Sequence, residues 1–418
     1  MGSSFIHKAK LFILGRRNVI KNIRKDVKQN REDKKIIWIH CASVGEFEQA
    51  RPIIELIKKD YKKEYKIFLT FFSPSGYELR KDYDLADWIY YLPIDGFINA
   101  HRFLRVVKPD IAIFIKYEYW YYYLTTLKRK HIPTYMVSAT FRPSQIFFKK
   151  TGGLYRKMLR TFKTIFVQDE VSKRLLKRIN ITNVVVAGDT RFDRVCKLST
   201  QPRTPNKIVE TFKGNKLIFV AGSTWEQDEY NLAEALKAFH YLPKENQGII
   251  CEAKAIIVPH EVTPQRIAKC KEIFRLFSPI LYSECEKGKA YTDTHLDKAQ
   301  ILIVDKVGFL SSLYPYGSFA YIGGGFGAGI HNILEAATYG RPTIFGPNYR
   351  KFREARELIR LGGAFSYYFP TDLRAKIADW FITCCNEGSD LSKICTQYIE
   401  DKRGASKIIV KAILESEK

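Results

Sequence analysis

Short, nearly continuous apolar runs recur along the chain, separated by longer stretches in which apolar residues return at helical spacing. One series comprises 36–42 (IIWIHCA), 66–72 (KIFLTFF), 88–93, 111–115 (IAIFI), 133–138, 164–168 and 183–187. After a polar, proline-punctuated stretch at 198–215, a second series comprises 217–222 (LIFVAG), 254–259 (KAIIVP), 279–283, 301–305 (ILIVD), 319–323 and 342–346. A strand that is apolar on both faces must be covered on both, so these runs predict parallel sheets sandwiched between helices. The expected fold class is α/β, with two Rossmann-like doubly wound domains facing each other across a cleft. Residues 36–200 make the N-terminal domain in this reading, and 201–418 the C-terminal one.

Residues 1–35 precede the first strand as a basic amphipathic segment. Eleven Lys/Arg against three acids fall within residues 1–40, and apolar and basic residues mix from Phe5 to Leu14. Such a start predicts a segment lying on a membrane surface. No apolar run reaches the roughly 18 residues a spanning helix needs. Over all 418 residues, 69 Lys+Arg oppose 44 Asp+Glu, a formal net charge of +25. That balance suits an anionic partner: nucleic acid, acidic lipid or a phosphorylated substrate. The eight cysteines include no C-x-x-C and no metal-ligand spacing. They predict buried reduced thiols rather than a zinc site or a disulfide framework.

The most specific chemistry lies in 319–347, FAYIGGGFGAGIHNILEAATYGRPTIFGP. It reads as strand, glycine-rich loop, helix, Gly-Arg-Pro turn and strand. Gly325, Gly327, Gly329 and their neighbours allow close backbone approach and present N–H groups to a phosphate, and the following helix points its positive end there. His331 and Asn332 are expected near the start of that helix, with Glu335 on the same face and placed to accept hydrogen bonds from a ribose. The combination predicts a nucleotide-sugar pocket. Its spacing is neither G-x-G-x-x-G nor G-x-x-x-x-G-K-[ST], which argues against dinucleotide binding and P-loop hydrolysis. A second motif ends the first strand: His40-Cys41-Ala42-Ser43-Val44-Gly45-Glu46. Ligands of open parallel sheets bind at the carboxyl ends of strands. A first-turn Glu46 there either caps its helix or takes a proton from an attacking hydroxyl.

Ser-Val-Gly-Glu at 43–46, together with GGGFGAGIHNILEAATYGRPTIFGPNYRKF, resembles the Kdo transferases of lipopolysaccharide synthesis. These enzymes move 3-deoxy-D-manno-octulosonic acid (Kdo) from CMP-Kdo onto a lipid A precursor. Further matches are Phe72-Ser73-Pro74-Ser75-Gly76, Leu92-Pro93-Ile94-Asp95, Gly188-Asp189-Thr190-Arg191-Phe192-Asp193, Ala221-Gly222-Ser223-Thr224 with Glu226, and Val258-Pro259-His260. The resemblance runs from about residue 36 to the end. It implies the GT-B architecture and an inverting displacement in which Glu46 is the base. It also implies CMP-Kdo bound by Ser223, Thr224, His260, Arg266, Gly325, Gly327, Gly329, His331, Asn332 and Glu335. The acceptor, a phosphorylated lipid A precursor of the lipid IVA type, would meet Ser43, Gly45, Glu118 and Arg191.

No cofactor is expected, and no metal, because CMP carries a single phosphate. The one D-x-D, Asp82-Tyr83-Asp84, lies in a charged tract and reads as surface. The implied place of work is the cytoplasmic face of the bacterial inner membrane, peripheral or N-terminally anchored, with an anionic membrane surface as partner and no nucleic acid.

Two departures from the family pattern bear on the acceptor side. Relatives read roughly E-T-E-I-W-P where this chain has Lys116-Tyr117-Glu118-Tyr119-Trp120-Tyr121, and they usually carry Lys at the position of Arg191. Residues 142–178 hold eleven Lys/Arg against two acids, interspersed with Phe147, Phe148, Leu154, Tyr155, Met158 and Leu159. That band predicts either a solvated face or a docking surface for phosphorylated lipid. Two other functional readings stay open at this point. One is a GT-B enzyme using a UDP-sugar, either a lipid-linked GlcNAc transferase or an epimerase. The other is a non-catalytic basic protein that binds nucleic acid.

Overall fold

A computed structural model describes residues 9–240, 253–287, 293–383 and 389–417. The chain divides into two compact units, Met1–Arg194 with Lys402–Lys418, and Val195–Asp401. The division differs from a boundary at 200 in two respects. Residues 195–200 fall in the second unit, and the C-terminal residues return to the first. The cause is the helix Ala405–Glu415, which buries Ile409, Val410, Ile413 and Leu414 in the core of the N-terminal unit.

In the N-terminal unit the strands are β1 (Lys35–Cys41), β2 (Tyr65–Phe71), β3 (Trp88–Tyr91), β4 (Ile111–Ile115), β5 (Thr134–Ala139), β6 (Thr164–Val167) and β7 (Val184–Val186). They form one sheet in the order β3-β2-β1-β4-β5-β6-β7, paired in parallel throughout. Alternation along β1 shows why both faces are apolar: Ile36 and Trp38 enter one core, Ile37 and Ile39 the other. The second half of the basic N-terminal segment belongs to this fold. Its helix Val19–Asn30 buries Val19, Ile23 and Val27 in the core that also holds Trp88 and Phe103. The 142–178 band is likewise partly core, since Phe147, Met158 and Leu159 are buried, whereas Leu154 and Tyr155 are exposed.

In the C-terminal unit the strands are β8 (Ile218–Thr224), β9 (Lys254–Pro259), β10 (Ile280–Leu281), β11 (Ile301–Ile303), β12 (Ala320–Ile322), β13 (Thr343–Phe345) and β14 (Ala364–Ser366). Their order is β10-β11-β9-β8-β12-β13-β14, again all parallel. In each unit, earlier and later strands lie on opposite sides of a central pair, consecutively in the first sheet and with β10 and β11 exchanged in the second. The strand order reverses between β1 and β4 in one unit and between β8 and β12 in the other. The connections after those strands leave in opposite directions and open a crevice at their carboxyl ends. Among the described residues, no helix is long and apolar enough to cross a membrane. The described cysteines are free thiols, with Cys41, Cys270 and Cys395 buried; Cys251, Cys384 and Cys385 lie outside the described residues.

Candidate functional site

The crevice of the N-terminal unit is built where β1 and β4 end. The helix Val44–Asp60 starts straight after β1, with Ser43 as N-cap in extended backbone. A capping box forms: the Ser43 side chain serves the backbone of the first turn, and Ser43 N donates to Glu46 Oε2 at 3.0 Å. Glu46 is therefore a helix cap, and its acidity is strongly perturbed. Burial, then the neighbouring charge of Glu118, raises its pKa to about 7, against the pull of the Ser43 and Ala42 N–H groups and of Lys116. A carboxylate with that affinity is ionised in useful amount at neutral pH and still takes a proton readily. Gly45 beside it is exposed, and a Cβ there would meet only Ser43 Oγ, at 3.9 Å. Neither packing nor backbone angle requires a glycine at that point.

Glu118 comes from the turn after β4, where Lys116 takes a left-handed conformation (φ 61°) that redirects the chain into the crevice. The carboxylate is buried and accepts a hydrogen bond from Trp120 Nε1 at 2.5 Å. His40 Nε2 lies 3.2 Å from it, and His40 Nδ1 lies 2.8 Å from Thr70 Oγ1. Thr70 already accepts from Trp38 Nε1 at 2.9 Å, so its own hydroxyl proton is free for His40 Nδ1. His40 Nε2 makes no hydrogen bond despite that proximity. Glu118 is held by Trp120, and it acts on Glu46 through its charge.

Other residues of this unit take structural parts. Asp189 and Arg191 bind each other, through Arg191 Nε at 2.9 Å and Nη2 at 2.7 Å. The Arg191 guanidinium holds the Asp189 carboxyl below its usual range although burial pushes the other way. Gln49 of the Glu46 helix reaches Asp189 at 3.4 Å, and Thr190 Oγ1 donates to Gln49 O at 2.7 Å. Asp193 accepts from Ser406 N and Ser406 Oγ, both at 2.7 Å, and so caps the returning C-terminal helix. The expectation that Arg191 reaches out to an acceptor is corrected to this extent: its fork is engaged by Asp189. Asp82 and Asp84 are exposed, as a surface tract requires.

The crevice of the C-terminal unit is built where β8 and β12 end. Ser223 takes a left-handed conformation (φ 55°), and the pairing with β9 slips between Gly222 and Thr224. That bulge turns Trp225 out, to start the helix Glu226–His240. Asp228 of this helix is buried; its Oδ2 accepts from Trp225 N and Gly324 N, both at 2.9 Å, and its Oδ1 from Tyr321 Oη at 2.8 Å. One carboxylate therefore anchors the strand end, the helix start and the glycine loop.

The loop itself corrects the expectation of a row of open N–H groups. Gly327 N and Gly329 N donate to Gly324 O at 3.0 and 3.2 Å, and His331 N to Gly323 O at 3.1 Å. The helix after the loop is also shorter than expected, Leu334–Ala337, so His331 and Asn332 precede it and Glu335 is its second residue. Asn332 Oδ1 accepts from Leu334 N at 3.1 Å, and Asn332 Nδ2 donates to Glu335 Oε1 at 3.0 Å. The expected Asn332–Glu335 pair forms, but a four-residue helix contributes little dipole. The glycines serve close packing: a Cβ on Gly325 would lie 2.5 Å from Gly346 N, and Gly329 needs φ 134°.

His260, Trp225 and His331 make a flat stack. His260 lies 4.8 Å from the Trp225 ring and 4.4 Å from His331, at interplanar angles of 28° and 22°. Trp225 Nε1 donates to His331 Nε2 at 3.1 Å, which puts the His331 proton on Nδ1. Burial and the neighbouring His260 lower the His331 pKa to about 4, so the ring is neutral at pH 7. Thr224 and Arg266 are corrected from open contacts to framework. The buried Thr224 hydroxyl donates to Glu229 Oε1 at 2.7 Å, and Arg266 Nη2 donates to the same oxygen at 2.5 Å. Arg266 Nη1 is buried without a hydrogen-bond partner.

His40, Trp225, Asp228 and Tyr321 were not singled out as site residues from sequence. For Asp228 a signal existed, since a carboxylate three residues after Trp225 has capping-box spacing at a helix start. Among the described residues, no group of three or more His, Cys, Asp or Glu side chains is placed to hold a metal ion.

The family model for "3-Deoxy-D-manno-octulosonic-acid transferase (kdotransferase)" matches residues 16–194. The 3-deoxy-D-manno-octulosonic acid transferase of Aquifex aeolicus (strain VF5) is 28% identical over 353 residues, covering 83% of this chain and 86% of the relative. The enzyme of the same name from Rickettsia bellii (strain RML369-C) is 28% identical over 327 residues, covering 78% and 74%. Among solved structures, UDP-GlcNAc 2-epimerase from Neisseria meningitidis superposes with a TM-score of 0.60 at 16% identity, covering 91% of this chain and 100% of that one. That likeness is one of fold, and it agrees with the GT-B class expected from the two doubly wound sheets.

Proposed function

We propose that this chain, a glycosyltransferase related to the Kdo transferases, moves Kdo from CMP-Kdo onto a phosphorylated lipid A precursor of the lipid IVA type, with inversion. The observation that carries the reading is Glu46. It stands at the β1–β4 crevice within the segment matching the Kdo-transferase model, with a pKa raised to about 7 and an open glycine beside it. A hydroxyl of the acceptor gives its proton to Glu46 as its oxygen attacks the anomeric carbon, and CMP departs from the opposite face. In this reading the N-terminal unit binds the acceptor and the C-terminal unit binds CMP-Kdo. The neutral His331, with its proton on Nδ1, and Arg266 Nη1 donate to the phosphate or the Kdo carboxylate. Glu335, oriented by Asn332, accepts from the ribose. The chemistry needs no metal in this account, and the work is done at the cytoplasmic face of the inner membrane, against an anionic surface.

The test is transfer from CMP-Kdo, generated in place, to a tetra-acylated lipid A precursor, with products read by mass. Glu46→Gln keeps the shape of the cap and should lower the rate by about a thousandfold while the protein stays folded. An inactive wild type that binds UDP-sugars would replace this reading with a UDP-sugar enzyme. An active Glu46→Gln would remove the base and leave the family standing.

A further inference from the structure

A cavity of about 640 Å³ lies in the N-terminal unit between the helices Val19–Asn30 and Phe97–Val107, and none of the residues assigned above lines it. Five cations line it: Arg16, Lys21, Arg24, Arg102 and Arg105. No acidic residue lines it. Lys21 and Arg24 are three residues apart on one helix, and Arg102 and Arg105 three apart on the other, so each helix presents a stacked pair to the same space. Among the described residues, none of these four has a carboxylate within ion-pair distance, in a unit where many surface cations do. Arg16 is fixed at one end. Its guanidinium lies over the Phe12 ring at 3.8 Å and donates to Leu92 O at 3.0 Å and Phe72 O at 2.6 Å.

Cations converging without counter-charges repel one another, and a solvated face would disperse them. The arrangement becomes favourable when a multiply charged anion enters. The rim says what kind. Ile94, Phe97 and Ile98 stand 55%, 56% and 61% exposed at the cavity's edge and on the first turn of its second helix, and Ile13 on the preceding helical turn is 68% exposed. A soluble phosphate has no use for such a rim, whereas an amphiphile at a membrane matches both halves.

We infer that this cavity seats the phosphate of an anionic lipid in a membrane leaflet, with the apolar rim entering the acyl edge of that leaflet. The inference rests on the membrane part of the functional reading and is independent of the transfer reaction. The charge sits in one built cavity, not in the general excess of basic residues or in the 142–178 band.

The full chain is tested by co-sedimentation with phosphatidylcholine vesicles containing about one third phosphatidic acid. The variant Lys21→Gln/Arg24→Gln/Arg102→Gln/Arg105→Gln removes four exposed charges and should melt like the wild type. A control, Lys59→Gln/Lys62→Gln/Lys63→Gln/Lys130→Gln, removes the same charge at the opposite, amino-terminal end of the strands. The cavity variant should partition about tenfold more weakly and the control less than about twofold. Equal losses in the two variants, or a wild type that ignores the vesicles, would overturn the inference while leaving Kdo transfer standing. Transfer to a detergent-dispersed acceptor should be unchanged in the cavity variant. A raised KM for that acceptor would mean that the cavity holds the acceptor's own phosphate, which also overturns it. Failure of transfer with vesicle binding intact would remove the enzymatic reading alone.

Discussion

Glu46 and the glycine loop occupy corresponding places, each at the carboxyl end of the sheet where its strand order reverses, yet they are prepared in opposite ways. At the end of β1 a carboxylate is held beside a second buried carboxylate and pushed up to a pKa of about 7. At the end of β12 the loop's amides are tied inward, and Asp228 secures three donors from three different elements. The first site stores electrostatic tension, and the second stores shape. A proton-transfer group must change charge during its work and profits from being poised. In the proposed function the loop recognises a nucleotide, and such a surface profits from not moving.

If that contrast holds, the largest structural effect belongs to Asp228. Asp228→Ala leaves the Trp225 and Gly324 N–H groups without their acceptor, while Tyr321 Oη keeps Tyr367 Oη at 2.8 Å, and should cost the C-terminal unit about 3 kcal/mol. Chemical denaturation followed by a C-terminal-unit probe would show it. A loss below about 1 kcal/mol would mean the loop is held by its own hydrogen bonds and not by the carboxylate.

A pair of glycines sharpens the comparison at a smaller scale. Gly325→Ala forces a methyl to within 2.5 Å of Gly346 N, and backbone must shift; about 2 kcal/mol of stability and the donor affinity should go together. Gly45→Ala meets nothing closer than 3.9 Å, and alanine is the better helix former, so melting should be unchanged or slightly raised. Its transfer rate should nevertheless fall, through a raised KM for the acceptor. A fully active Gly45→Ala would leave that glycine without a role at the site.

The same two motifs show what the pattern of residues made legible. Apolar runs located the strands of both sheets closely, because strands buried on both faces admit few polar residues. β14 escaped notice: Ala364–Ser366 is a short edge strand, partly exposed and preceded by Gly362 and Gly363. The helix after the glycine loop was placed too early, because Asn332 and Glu335 at helical spacing look alike whether they share a helix or close a turn before it. Of the two readings of Glu46 the structure shows the cap, which orients the carboxylate that Glu118 perturbs; the base belongs to the proposed function. Thr224 ends its strand as expected, and Arg266, expected in the loop after the next strand, lies in the first turn of the helix Pro264–Ile273; their pairing with Glu229 depends on two elements meeting in space, which spacing along the chain does not encode.

A pH profile tests the electrostatic half directly. With Glu46 as base, kcat/KM should rise through an apparent pKa near 7 and fall about tenfold between the plateau and pH 6. Glu118→Gln keeps an acceptor for Trp120 but removes the like charge, so the inflection should move to lower pH. An unmoved inflection would assign the raised affinity to burial alone, and Glu118 would then act only as an acceptor contact.

The smallest effect is the most discriminating, because the two units should respond to acid with opposite signs. Folded Glu46 binds its proton more tightly than the ordinary carboxyl, whose pKa is 4.5, so it favours folding at low pH, and that contribution is lost as the pH rises from 4.5 to about 7. Folded His331 binds its proton less tightly than the ordinary imidazole at 6.5. Its contribution is present above 6.5 and is lost as the pH falls toward about 4. Hydrogen exchange at pH 5 and pH 7, corrected for intrinsic rates and read separately over residues 35–60 and 320–345, resolves the two. Glu46→Gln should flatten the pH dependence of the first segment and leave the second unchanged. His331→Asn should do the reverse. A common slope in both segments, insensitive to either substitution, would mean that neither crevice stores its chemistry in the group assigned to it.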